Sequence, residues 1–270
     1  FTSSTKLLQW QHVNIKDKII NFVVAYNKKS GEFDAILGFI PTRQYDFNIK
    51  NRDIWLAIWK VKEVFASTGI GLQVLVFLNS NYKASSVGVL GVSEDAMKIY
   101  KAFRYKTGIL NHFYIKNDSF TDYSIASFNK INNVSHSTNS NIDIKQITDE
   151  EFLSSNISCQ YPPYKTKDYY INRYYNNSFY EYTFNAIVIK NTIIGVFITR
   201  KIIVDKAACI RIVDWIGDYS KNLYHEFQKL LQKNDAEYID FLCKVPNEDE
   251  ISEMGFLEKN NDHEVIPNYF

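Results

Sequence analysis

What most constrains this chain is an order of strand-like and helix-like runs that reads twice. In the first half, "KIINFVVAYNKKSGEFDAILGFIPT" predicts two strands: residues 23–25 lead into a turn at Asn27 to Gly31, and Ala35 to Ile40 lead out. Lys-Lys-Ser-Gly suits the hairpin loop between them. "DIWLAIWKV", rich in aromatic and branched residues, predicts a third strand. Gly69 and Gly71 come next, followed by Leu72, Leu75, Val76 and Leu78 at the spacing of a helix with a wide apolar face. "SSVGVLGV" predicts a short strand. Ser93 then suits the cap of a helix with Glu94 and Asp95 in its first turn, and Ala96, Ile99, Tyr100 and Phe103 recur at helical spacing. "ILNHFYI" is expected to close this half as its final strand.

From about Phe120 to Asn141 the chain turns polar and loses all period, as in "SFNKINNVSHSTNSN". After it the order returns more loosely. "NIDIKQIT" predicts a strand, and "YPPYKTKDYYINRYYNNSFYEY" is a tyrosine-dense insert of helix plus loop. "FNAIVIKNTIIGVFITRKII" predicts a hairpin turning at Lys190 and Asn191, and "AACIRIVDWIG" a strand. Leu223, Phe227, Leu230 and Leu231 line an amphipathic helix, "AEYIDFLC" is a strand, and "NEDEISEMGF" is a short helix stopped by Gly255. The expectation is α/β (α+β): two domains, 1–120 and 142–270, joined by a linker at 121–141. Each is a mixed, mostly antiparallel sheet flanked by helices.

A chain of 270 residues with 46% hydrophobic content can fill two such cores. Its net charge of +1 argues against a broad nucleic-acid surface. No apolar run nears the ~20 residues of a membrane span, and no basic-then-apolar leader opens the sequence. Cys159, Cys209 and Cys243 are far apart, and the five histidines form no HxH or HxxxH pair. Reduced thiols, a cytoplasmic setting and no metal are therefore expected.

The glycine pair carries the first chemical reading. A helix start presents unpaired N–H groups and partial positive charge, and glycines there let the backbone approach an anion closely. The other reading is a plain turn that begins a helix. The surroundings shift the balance towards the first. "VKEVFASTGIGLQVL" and "VSEDAMKIYKAFRYKTG" resemble, in that order, the pyrophosphate loop and the following tyrosine-bearing helix of the GNAT superfamily of acyl-CoA-dependent N-acyltransferases. The resemblance implies that Ser67, Thr68, Gly69, Ile70, Gly71 and Leu72 bind the CoA pyrophosphate. It also implies that Val61 and Glu63 lie where the pantetheine arm pairs with the strand, that Ser93 stands near the cofactor, and that Tyr100 is the general acid. Tyrosine, which ordinarily titrates near ~10, is protonated at neutral pH and can supply the departing thiolate with a proton; simple packing on its helix is the other role for Tyr100. Ala66, Ser93 and Arg104-Tyr105 depart from the superfamily pattern, and Ala66 removes a side-chain contact with the phosphates.

The second copy keeps the layout without the chemistry. "RIVDWIGDYSKNLYHEF" has one glycine, Gly217, and Ile251 stands where the tyrosine would be, so this copy is degenerate. "RIVDWIGD", "AEYIDF" and the ending "VIPNYF" resemble the C-terminal half of tandem-GNAT enzymes of bacterial polysaccharide loci. Those enzymes acylate the amine of a nucleotide-linked sugar such as a dTDP-3-amino-3,6-dideoxyhexose. The resemblance implies that this half binds the acceptor. Tyr164, Lys167, Tyr170, Arg173 and Tyr174, with Trp215, are the candidate contacts, since aromatic faces stack on a base or sugar and cations pair with a diphosphate. A tyrosine-rich surface helix is the alternative reading of the same segment. Asp214 is the first candidate base for the acceptor amine, Glu63 the second and Asp240 the third. Asp214 would otherwise pair with Arg211 or cap the turn at Gly217.

The reading is therefore an N-acyltransferase using acyl-CoA as co-substrate and a nucleotide-amino sugar as acceptor, with homo-oligomerisation left open. The competing readings are an aminoacyl-tRNA-dependent cell-wall transferase, against which Gly69 and Gly71 speak, and a non-catalytic ligand-binding protein that keeps the fold.

Overall fold

The computed structural model describes residues 4–14, 18–128, 141–259 and 264–268. It divides into two compact units, Phe1–Thr107 with Tyr161–Arg173, and Gly108–Gln160 with Tyr174–Phe270. Residues 129–140 of the expected linker and the last two residues of "VIPNYF" lie outside the described residues. Among the described residues no helix is long and apolar enough to cross a membrane.

Unit 1 opens with helix α1 (Thr5–His12), capped by the Ser4 side chain, and a small antiparallel pair, β1 (Val13–Asn14) with β2 (Ile19–Ile20). Its sheet follows in the order β3 (Phe22–Asn27), β4 (Glu32–Pro41), β5 (Ile54–Val61), β6 (Val87–Val89). The β3–β4 turn uses Gly31 at φ +72°, a left-handed conformation that glycine adopts without steric cost. β5 and β6 run parallel, so the connection must cross over, and helix α2 (Ile70–Tyr82) makes that crossing. Helix α3 (Glu94–Ala102) comes next, its first N–H groups capped by Ser93 as expected. Leu37, Ile54, Leu56, Val74, Leu75, Leu78 and Tyr100 form the core between sheet and helices.

Two details of register shape what lies beside β5. Gly38 sits opposite Ile58 and Phe39 opposite Leu56, which leaves Ala57 as an extra residue, a bulge in β5. β5 and β6 pair through just Ile54–Val87, Trp55–Gly88 and Leu56–Val89. From the bulge to Val61, the edge of β5 that faced β6 has no strand partner among the described residues.

Unit 2 holds a seven-stranded sheet. In chain order its elements are β7 (Asn111–Lys116), β8 (Ile142–Gln146) and α4 (Asp149–Ser154), the last closed by a capping box between Thr148 and Glu151. The chain then returns to unit 1 for the short helix α5 (Lys167–Tyr170), which continues into a π-helical turn, Ile171–Tyr175. Unit 2 resumes with β9 (Thr183–Ile189), β10 (Thr192–Val204), β11 (Ala207–Gly217), α6 (Tyr224–Asn234), β12 (Tyr238–Cys243), α7 (Asp249–Glu253) and β13 (Leu257–Glu258). The sheet order is β13-β7-β12-β11-β10-β9-β8. Lys190 and Asn191 both take positive φ, the two-residue hairpin turn expected there.

β7 departs from the sequence reading. Expected to close the first half, it pairs antiparallel with β12 and β13 in the sheet of unit 2. Phe113, Tyr114 and Ile115 are all buried, so the strand is apolar on both faces and needs an interior position in a sheet. β6, only three residues long, offers no such place beside it.

Unit 2 repeats the pattern of unit 1. Ile198 faces Asp214 and Thr199 faces Ile212, which leaves Val213 as a bulge in β11, the counterpart of Ala57. β11 and β12 again pair in parallel over three positions, Ile210 to Ile212. The fold is thus two copies of one mixed, mostly antiparallel arrangement.

Candidate active site

The site of unit 1 is built where β5 and β6 part. β5 ends at Val61, and a 3-10 turn, Glu63–Phe65, leads towards α2. Gly69 precedes the helix at φ +78°, a left-handed conformation that glycine adopts without steric cost, and no side chain caps the helix. The N–H groups of Gly69 to Leu72 meet no acceptor among the described residues, and α2 carries no acid in its first turn. By contrast Ser4, Ser93, Thr148 and Thr166 cap their helices with side-chain oxygens. The start of α2 therefore keeps its positive end open.

Gly71 is pressed against β5. A Cβ added there would stand 2.8 Å from Val61 Cγ2 and 3.5 Å from Trp59 Nε1. Trp59 Nε1 is itself buried and finds no hydrogen-bond acceptor among the described residues. An orphaned donor beside an open helix start fits a ligand rich in acceptor oxygens. Tyr100, on α3, is 3% exposed and packs in the same cluster, its ring 5.8 Å from Trp59 and 5.4 Å from Tyr105. Burial, with a smaller contribution from Tyr105, pushes its hydroxyl up to about 12. Tyr105 is pinned in turn by hydrogen bonds with Asn79 of α2. So Gly69, Ile70, Gly71, Val61 and Tyr100 gather around one stretch of β5, and Trp59 joins them. The sequence reading does not single out Trp59, although it stands two residues before Val61, on the same face of the strand.

The remaining loop residues are more loosely tied. Ser67 and Leu72 are exposed, Thr68 donates its hydroxyl to Phe65 O (2.7 Å), and Ser93 uses its oxygen to cap Ala96 N. Glu63 is corrected. It lies beyond the end of β5, in the 3-10 turn, and is exposed. At a rise of ~3.3 Å per residue it stands more than ~13 Å along the chain from the bulge at Ala57.

No protein-family model matches this sequence, and no curated protein matches it. Among solved structures, the chain is similar to a GCN5-related N-acetyltransferase from Anabaena variabilis, with TM-score 0.53 and 11% identity, covering 89% of this chain and 61% of that one. The fold is that of the GCN5-related N-acetyltransferases. This chain spans about three fifths of the Anabaena chain's length. It also matches one from Sphaerobacter thermophilus (TM-score 0.47, 10% identity, 88% and 78% covered) and a tandem GNAT protein from the clavulanic acid biosynthesis pathway (TM-score 0.48, 10% identity, 88% and 80% covered).

The second copy of the fold differs beside β11. Trp215, just past the Val213 bulge, stacks on Phe197 at 5.2 Å and packs against Tyr219 and Phe241. α6 follows Leu223 with no glycine pair before it, and Ile251 is wholly buried. The second copy thus keeps the bulge but has neither the glycine pair nor the tyrosine.

The acceptor candidates do not form one exposed surface. Tyr170 is fully buried in unit 1, so its ring serves packing. Tyr174 is buried in unit 2 and donates its hydroxyl to Asp214 Oδ2 (2.8 Å). Asp214 also accepts from Trp215 N, so the partner expected from Arg211 is instead Tyr174. Arg211 clasps Asp240 through Nε (3.0 Å) and an η nitrogen (2.7 Å), and His112 Nε2 lies 3.0 Å from the same carboxylate. Burial works against the charge of Arg211, but Asp240 outweighs it and raises its pKa. Asp240, 0% exposed and held on both oxygens, is therefore a structural anion with no access to a substrate. Tyr164 is exposed, Lys167 is half-buried with its pKa lowered by desolvation, and the Arg173 guanidinium lies over the rings of Tyr45 and Tyr169. Among the described residues no group of three or more His, Cys, Asp or Glu side chains is placed to hold a metal ion.

Proposed function

We propose that the chain is an acyl-CoA-dependent N-acyltransferase with its donor site in unit 1. The observation that carries this reading is the set of features where β5 and β6 part: an unpaired β5 edge, an uncapped glycine start to α2, the orphaned Trp59 donor and the buried Tyr100. The free edge of β5 offers backbone N–H and C=O groups to the amides of a pantetheine arm. The α2 start offers N–H groups and partial positive charge to a pyrophosphate. The acceptor amine attacks the thioester carbonyl carbon as its free base. The C–N bond forms, the C–S bond breaks, and the departing thiolate takes the Tyr100 proton. The proton lost by nitrogen goes to water, and Tyr100 is reprotonated from solvent. A phenol kept neutral by burial is suited to that donation at every physiological pH.

The acceptor proposed is the amine of a nucleotide-linked sugar, supported by the resemblance of "RIVDWIGD" and "AEYIDF" to sugar N-acyltransferases and by the exposed ring of Tyr164. The test follows free thiol after mixing the chain with panels of acyl-CoAs and of dTDP- and UDP-amino sugars. Release that needs both partners is the expected result, with one CoA bound per chain by calorimetry and none by Gly71→Trp. Unchanged CoA affinity in Gly71→Trp would overturn the donor site, and CoA binding without release for any sugar would overturn the acceptor.

A further inference from the structure

Unit 1 carries a second concavity, away from the α2 start. It is an open pocket of about 320 Å³, walled by Trp10, Tyr45 and Phe47, with Asp46, Asp168 and Asn172 among its polar groups. Its aromatic walls are held in place. Gln44 Nε2 donates to Trp10 O (3.0 Å) and Gln11 O (2.9 Å), tying the end of α1 to the turn after β4. Asn172 Nδ2 donates to Tyr45 O (2.7 Å), and the Tyr45 ring meets Trp10 at 5.7 Å and the edge of Tyr169 at 5.4 Å.

Among the described residues the charge of the lining has one sign. Asp46 is 6% exposed and accepts from Asn48 N and from the Thr166 hydroxyl, which fixes its carboxylate and leaves oxygen lone pairs unused. Asp168 is exposed, and its carboxylate makes no hydrogen bond or ion pair with any described residue. Among the described residues no lysine or arginine lines the pocket. Two cations touch the walls from outside the lining: Arg43 donates to Phe47 O (3.5 Å), and the Arg173 guanidinium lies over the Tyr45 ring at 5.1 Å.

Aromatic faces attract cations through their quadrupole, and carboxylates hydrogen-bond an ammonium strongly. The same carboxylates repel a phosphate or another carboxylate. We propose that this pocket binds an organic ammonium ion, a protonated primary amine carried on an aliphatic or sugar ring, with the ring against Trp10, Tyr45 and Phe47 and the nitrogen towards Asp168 and Asp46. A wall already fixed by Gln44 and Asn172 loses little freedom on binding. The pocket stands apart from the donor site, so it does not depend on the acyl-transfer reading.

The test is calorimetry on the whole chain at neutral pH with three probes of one shape: cyclohexylammonium, cyclohexanol and cyclohexanecarboxylate. The ammonium is expected to bind about tenfold tighter than the alcohol, and the carboxylate not at all, the scale of one charge-assisted hydrogen bond. Asp168→Asn should lower ammonium affinity about tenfold and leave the alcohol unchanged, because an exposed, unpaired side chain can be neutralised without disturbing the fold. Trp10→Phe should preserve the charge preference. Equal affinity for the three probes, no binding of the ammonium, or an Asp168→Asn variant that binds it as the parent does would each overturn the proposal. Thiol release is read separately, so intact transfer with no ammonium binding defeats this pocket alone, and the converse defeats the donor site alone.

Discussion

A single methyl group at Gly71 tests the closest contact in the donor site. Replacing glycine by alanine in a helix ordinarily stabilises it by about 0.5–1 kcal/mol, because glycine loses more backbone entropy on folding. Here the new Cβ would stand 2.8 Å from Val61 Cγ2, well inside the ~3.5–4.0 Å at which carbon atoms rest. Val61 is β-branched and stiff at χ1, so its methyl cannot swing aside freely. Overpacking of this kind costs about 1–3 kcal/mol. Gly71→Ala should therefore destabilise unit 1 by about 1 kcal/mol. In a Val61→Ala background the same change should become stabilising. Urea unfolding followed by tryptophan fluorescence reads this well, because Trp10, Trp55 and Trp59 all lie in unit 1. The signature is a change of sign and a coupling of about 1–2 kcal/mol in the double-mutant cycle. If Gly71→Ala stabilised both backgrounds equally, α2 would not lie against β5 as described, and the donor site would lose its geometry.

Three further outcomes follow from the same structure. Tyr100→Phe should keep the fold, since the ring stays packed, and slow acyl transfer by about 10²–10⁴-fold in a steady-state assay. With Tyr100 pushed up to about 12 by burial, the folded chain keeps a proton that the unfolded chain, near ~10, gives up. Stability should thus fall as pH rises from about 10 to about 12, and the phenylalanine variant should lack that share of the slope in pH-dependent unfolding. Arg211→Ala strips the fully buried Asp240 of its bidentate partner and leaves His112 alone beside it. A loss of about 3–5 kcal/mol is expected in denaturant unfolding, and a loss under 1 kcal/mol would show that the pair is not buried as described.

Much of the architecture is legible in local sequence, for reasons that are themselves local. Lys190-Asn191 turns a hairpin because strand runs flank a pair whose asparagine tolerates positive φ. Ser93 begins α3 because its hydroxyl reaches an N–H three residues on. The Gly69-x-Gly71 pair marks the α2 start because the first glycine takes the left-handed conformation and the second admits β5 at close range. The site is less legible where it depends on partners far along the chain. Tyr170, Tyr174 and Asp240 read as surface ligands because tyrosine and aspartate commonly are, but each is buried. Tyr174 and Asp240 are held by Asp214 and Arg211, 40 and 29 residues away.

The sequence by itself determined the succession of strands and helices, the turns between them, the uncapped glycine start of α2 and the loss of that start in the second copy. Each of these rests on hydrogen bonds and periodicities spanning a few residues. The tertiary structure alone decided that β7 joins the sheet of unit 2, that bulges form at Ala57 and Val213, that Trp215 packs on Phe197, Tyr219 and Phe241, and that Trp10 meets Tyr45 beside a pocket with Asp168. Those outcomes turn on which surfaces bury one another across tens to more than a hundred residues. That competition is settled by the total area removed from water and by the pairing of every buried polar group, quantities that no short window of sequence contains.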